Sequence, residues 1–87
     1  MPRETAFFHY IGELSGLSGN SISDITALRP LSRLRWLNLA GNAVSDIGPV
    51  VTLGRLVWVS FYANPLDDTA LHTHIPAMRE RGVVVHH

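Results

Sequence analysis

The chain has 87 residues, 46% of them hydrophobic, which is enough for one domain with a modest core and excludes a disordered chain. Seven acidic residues balance seven basic ones, and all the basic ones are arginine, so no excess of charge points to nucleic acid or an anionic membrane. The absence of cysteine excludes disulfides, thiolate nucleophiles and zinc sites of the Cys type, and no apolar stretch approaches the ~18 residues of a membrane span.

Residues 1–13 have no basic run followed by a long apolar core, so they do not read as a secretory signal. Phe7, Phe8, Tyr10 and Ile11 form an apolar cluster outside any periodic pattern. It is expected to be the stump of upstream repeats, the alternative being an improvised cap over an open end. From residue 14 the chain becomes periodic. Asn20, Asn42 and Asn64 lie 22 residues apart, in LSGNSISDI, LAGNAVSDI and YANPLDD. Two residues after each Asn comes Ile22, Val44 or Leu66, and five after come Ile25 and Ile47, each preceded by Ser-Asp.

The apolar positions then step in threes, through Leu28, Leu31, Leu34 and Leu37, and again through Val50, Leu53, Leu56 and Val59. Leu37-x-Leu39 and Val59-x-Phe61 end each series with a step of two. Steps of two are strand spacing, and steps of three suit 3₁₀ or extended backbone. No such unit can bury its apolar side alone, so the units must stack, with their strands in a parallel sheet. Aligned on Asn20, the first block has Gly12 and Ser15 where Leu34 and Leu37 stand later, and only Leu17 keeps its place.

Each Asn sits where the chain leaves a strand, and its amide is suited to bond backbone groups of neighbouring turns, a structural ladder of Asn20, Asn42 and Asn64. In Ser23-Asp24 and Ser45-Asp46, Asp or Ser reads as the cap of the short helical turn that follows, since one carboxylate per repeat is too few for a calcium site. After Asn64 the pattern changes. Asp67 and Asp68 suit a helix start, Pro76 a second helical turn or a kink, Arg79 and Arg81 the helix end, and Gly82 the residue just past it. Val83, Val84 and Val85 come next as a last strand beside residues 57–62. His72 and His74 are two apart on this helix and do not share a face, so no metal site is expected. His86 and His87 read equally as native residues or as the start of a purification tag.

The pattern LxxLxLxxNxIxxI at a 22-residue period, covering roughly residues 17–66, resembles the bacterial, internalin-like class of leucine-rich repeats. The resemblance implies an α/β solenoid: a leucine-rich-repeat arc with a short parallel sheet on the concave face, a 3₁₀ or extended convex side and a C-terminal helical cap. It implies one domain over residues 1–87, with a degenerate N-terminal segment (1–13), repeats (14–66) and a helix-and-strand cap (67–87). The chain then reads as the C-terminal end of a longer array.

Strand alternation places Trp36, Asn38 and Ala40, and next to them Trp58, Ser60 and Tyr62, outward on the concave sheet. Gly16, with Leu14 and Ser18, is expected to join them from the degenerate first strand. A Trp pair with a nearby Tyr has the composition of an interface hot spot, and cross-strand packing that only stabilises the sheet is the competing reading. The partner-binding residues expected are Trp36, Asn38, Trp58, Ser60 and Tyr62, with Arg33 and Arg55 as solvated charge along one rim. The expected function is a protein–protein interaction scaffold. A purely structural capping segment of a longer array and carbohydrate binding on the Trp pair are the alternatives. No nucleophile–base pair, phosphate-cradling glycine loop or metal cluster stands out, so neither an enzyme nor a cofactor is expected. The poorly sealed N-terminal edge is expected to promote self-association.

Overall fold

The steps of two become strands. In the structure, a computed structural model that describes residues 13–14 and 16–87, β1 (Glu13–Leu14), β2 (Trp36–Asn38), β3 (Trp58–Ser60) and β4 (Val84–His86) pair in parallel in that order. Trp36 pairs with Trp58, Leu37 with Val59 and Asn38 with Ser60. One strand further, Trp58 pairs with Val84, Val59 with Val85 and Ser60 with His86. The last strand thus begins one residue later than its valines suggest and takes in His86, whose carbonyl accepts the Phe61 N–H at 2.7 Å. His86 is part of the sheet.

Helical turns carry the chain back between strands, and the result is a mixed α/β fold. A 3₁₀ turn covers Thr26–Leu28, and a single α-helical turn, α1 (Gly48–Val51), stands in the next repeat with Pro49 in its first turn, where a missing N–H costs nothing. Both are capped by the aspartates the sequence singled out. Asp24 accepts from the Thr26 hydroxyl at 2.6 Å and from the Thr26 N–H at 2.9 Å, and Asp46 accepts the Gly48 N–H at 2.8 Å. The Thr26 hydroxyl first, and then its N–H, hold the Asp24 carboxyl below its ordinary value. The residues spaced by three, from Leu28 to Leu37 and from Val50 to Val59, all turn inward into one core with Leu17, Leu39 and Phe61.

Residues 67–87 close the C-terminal side. Asp67 caps the helix by accepting the Ala70 N–H at 2.8 Å. A π turn (Ala70–His74) then runs straight into α2 (Ile75–Glu80). Pro76 lies in the first turn of α2. It has no N–H to give and its ring would crowd the carbonyl four residues back, so the wider π turn lets the helix continue without a break. At the other end Gly82, at φ 88°, donates to Arg79 O, and Val83 donates to Met78 O. This pair of bonds is a Schellman motif, and its apolar clasp is the buried pair Met78 and Val83.

The first strand corrects the sequence reading. Glu13 pairs with Trp36 and Leu14 with Leu37, so Leu14 holds the register position opposite Leu37 that the 22-residue alignment gave to Ser15. In sequence, Leu17 follows Leu14 by three positions, where Leu39 follows Leu37 by two. The expectations placed on Phe7, Phe8, Tyr10, Ile11, Gly12 and Ser15, and with them self-association through the N-terminal edge, lie outside the described residues.

Candidate functional site

Asn42 and Asn64 bond backbone groups of the turn before them, while Asn20 bonds its own turn. Asn42, only 8% exposed, donates to Leu39 O in its own turn at 2.9 Å and to Leu17 O in the preceding turn at 2.8 Å, and its Oδ1 accepts the Ile22 N–H. Asn64 repeats this against Phe61 O, Leu39 O and the Val44 N–H, but is half-buried. Asn20 is exposed, and its amide donates within its own turn, to Gly16 O, Leu17 O and Ser18 O. The residue before each Asn has positive φ: Gly19 at 72°, Gly41 at 71° and Ala63 at 59°. The Asn42 and Asn64 carboxamides tie each turn to the one before it.

The outward side of the sheet is different. Backbone pairing sets Trp36, Trp58 and Val84 side by side in one row. Trp36 is 42% exposed, Val84 50%, and Trp58 is half-buried. The Arg35 guanidinium lies over the Trp36 ring at 5.3 Å, and the His86 ring lies 5.6 Å from that of Trp58, tilted by 48°. His86 is the residue of this face that the sequence reading did not place there. It could have been found by extending the last strand by one residue.

The second row runs Asn38, Ser60, His86, with Tyr62 beyond it at 65% exposure. Ser60 corrects the expectation of an outward binding residue, for it is only 6% exposed. It is a small side chain between strands on both sides, paired with Asn38 and His86, and its Oγ accepts the Tyr62 N–H at 3.4 Å. Asn38 is half-buried and its Oδ1 accepts the Ala40 N–H at 3.1 Å. The acceptors of this row are thus turned to local backbone. What the face offers outward is aromatic and aliphatic surface, the Tyr62 hydroxyl and the Asn38 amide N–H groups.

Among the described residues no group of three or more His, Cys, Asp or Glu is placed to hold a metal ion, and no helix is long and apolar enough to cross a membrane. His72 Nδ1 lies 3.1 Å from Asp68 O, one turn earlier on its own helix, and His74 is half-buried. Compared with known proteins, the chain matches no protein family, no curated protein and no solved structure.

Proposed function

We propose that the chain is the C-terminal part of a leucine-rich-repeat solenoid and acts as a non-catalytic module that binds a protein partner through the outward, concave face of its sheet. The repeat reading is supported by the 22-residue equivalence of Trp36 with Trp58, of Asp24 with Asp46, and of the Asn42 and Asn64 bonds to the turn before each.

One observation carries the binding reading. Trp36, Trp58 and Val84 form a continuous apolar row on a face open to water, with Tyr62 beside it. Removing apolar surface from water yields roughly 25 cal/mol per Å², and exposed Trp and Tyr supply most of the energy of interface hot spots. Carbohydrate stacking on the Trp pair is the weaker reading, because the Asn38 and Ser60 oxygens that would take sugar hydroxyls already accept backbone N–H groups.

A structural capping role is favoured by a separate observation. Arg81 reaches from beyond α2 to Val51 O and Leu53 O, tying the terminal unit to the one before it. The two roles are separable by experiment. The Trp36→Ser, Trp58→Ser double variant is expected to melt cooperatively and to lose the proteins that the immobilised wild-type chain retains. A folded variant with unchanged retention would leave the capping role alone.

A further inference from the structure

Five of the six described arginines, all but Arg29, fall into two groups. Arg79 donates to Val85 O at 2.9 Å, and Arg81 to Val51 O and Leu53 O, so both are occupied in holding the cap. Arg33, Arg35 and Arg55 are exposed, and their guanidinium groups make no hydrogen bond or ion pair among the residues whose side chains are described. They gather at one end of the sheet. Arg33 and Arg55 occupy the same place in two equivalent tight turns, closed by Leu34 N–H to Leu31 O and Leu56 N–H to Leu53 O, that deliver the chain into β2 and β3. The Arg35 carbonyl takes the N–H groups of both Val57 and Trp58, which fixes it at the start of the Trp row.

Three aspartates lie at the opposite end of the sheet. Asp24, Asp46 and Asp67 lie past the strands, beyond the Asn turns, and each is engaged with N–H groups of the helical turn it caps. Between residues 25 and 66 the sole carboxylate is Asp46. The face therefore has guanidinium groups at the entry of β2 and β3, apolar surface along Trp36, Trp58 and Val84, and no carboxylate on β2 or β3, the acidic residue of this row being Glu13 of β1, paired with Trp36.

We infer that the partner bound on this face is an acidic polypeptide segment, which sets an apolar side chain on the Trp36–Trp58–Val84 row and its carboxylates on Arg33, Arg35 and Arg55. This inference rests on the reading of the sheet face as a binding surface and adds the partner's chemistry to it. Guanidinium is the cation suited to it, since its planar fork meets a carboxylate in two parallel hydrogen bonds and stacks on an aromatic ring, as Arg35 does on Trp36. Nucleic acid fits less well, because a phosphate backbone calls for a basic stripe on a basic domain and this chain is neutral, with a pI near 7.0.

The test is a selection of short random peptides displayed against the full chain, run in parallel on an Arg33→Gln, Arg55→Gln variant and on the Trp36→Ser, Trp58→Ser variant, each checked for an intact melt. Peptides selected by the wild type are expected to combine Asp or Glu with an apolar residue. They should bind the arginine variant roughly fivefold to tenfold more weakly, and more weakly still in high salt. Selected peptides of neutral or basic composition, or equal binding to the arginine variant, would overturn the acidic partner and leave the face as a binding surface. No enrichment over the Trp variant would remove both readings. Tighter binding of a random-sequence DNA duplex or of phosphatidylserine vesicles at the same ionic strength would also overturn the acidic-peptide assignment.

Discussion

The Asn42 side-chain amide donates to the carbonyl of Leu17, 25 residues earlier, at 2.8 Å. The bond joins two turns that share no sequence neighbourhood, and the Asn42 Oδ1 closes the link by accepting the Ile22 N–H at 3.0 Å. Asn64 makes the same bonds to Leu39 O and to the Val44 N–H, so the two differ in burial and not in number of partners. Truncating Asn42 strands buried backbone groups, whereas water reaches those around Asn64. Asn42→Ala is expected to cost about 2–3 kcal/mol, Asn64→Ala about 1 kcal/mol and Asn20→Ala least. Urea melts of the three variants give the order, and equal losses would contradict it.

Ala63 stands at φ 59°, where the equivalent positions hold Gly19 and Gly41. A Cβ in the left-handed region costs about 1–2 kcal/mol, and glycine gives back roughly 0.4–1 kcal/mol through its freer unfolded chain. Ala63→Gly should therefore stabilise by about 0.5–1 kcal/mol. The reverse change, Gly41→Ala, acquires the same strain and brings its Cβ to 3.4 Å from the Gly19 backbone, so it should destabilise. Thermal melts of the two variants should move in opposite directions.

Arg81 bridges Val51 O and Leu53 O from the far end of the cap. It is exposed, so the charge-assisted bonds are weakened by solvent, and Arg81→Ala should cost only about 1 kcal/mol. The loss should be local. Hydrogen exchange is expected to speed up in α2 and β4 while the amides of β2 keep their protection.

The bonds from Thr26 hold the Asp24 carboxyl below its ordinary value. Its folded pKa lies below the ordinary 3.8, so the bonds from Thr26 stabilise the fold above the unfolded value and lose that effect as pH falls through the folded one. Thr26→Val removes the hydroxyl, the larger cause. A carboxyl NMR titration should find the Asp24 midpoint below 3.8 in the wild type and closer to it in the variant.

Much of this arrangement is legible in the residues because local chemistry decides it. The step of two at Leu37 and Leu39 sets strand alternation, Asp24, Asp46 and Asp67 cap the helical turns next to them, and Gly82 ends α2 as a C′ glycine should. The features that escaped reading depend on chain far away or on a broken period. The slip that pairs Leu14 with Leu37 is hidden when the alignment assumes 22 residues throughout. Ser60 is buried by its neighbours on both sides, which its own identity does not reveal. The guanidiniums of Arg79 and Arg81 go to backbone carbonyls, which leave no trace in sequence. His86 joins the face because β4 runs one residue past its valines.

The two tryptophans of the chain, Trp36 and Trp58, both stand in the outward row, so intrinsic fluorescence reports on that face and no other. The direct measurement is the Trp emission and acrylamide quenching of the chain, free and saturated with a protein it retains, after subtraction of the partner's own signal. Binding through this face predicts a shift of the emission to shorter wavelength and a several-fold loss of quenching, because the exposed Trp36 ring leaves water. A saturated complex whose tryptophan emission and quenching match those of the free chain would contradict it.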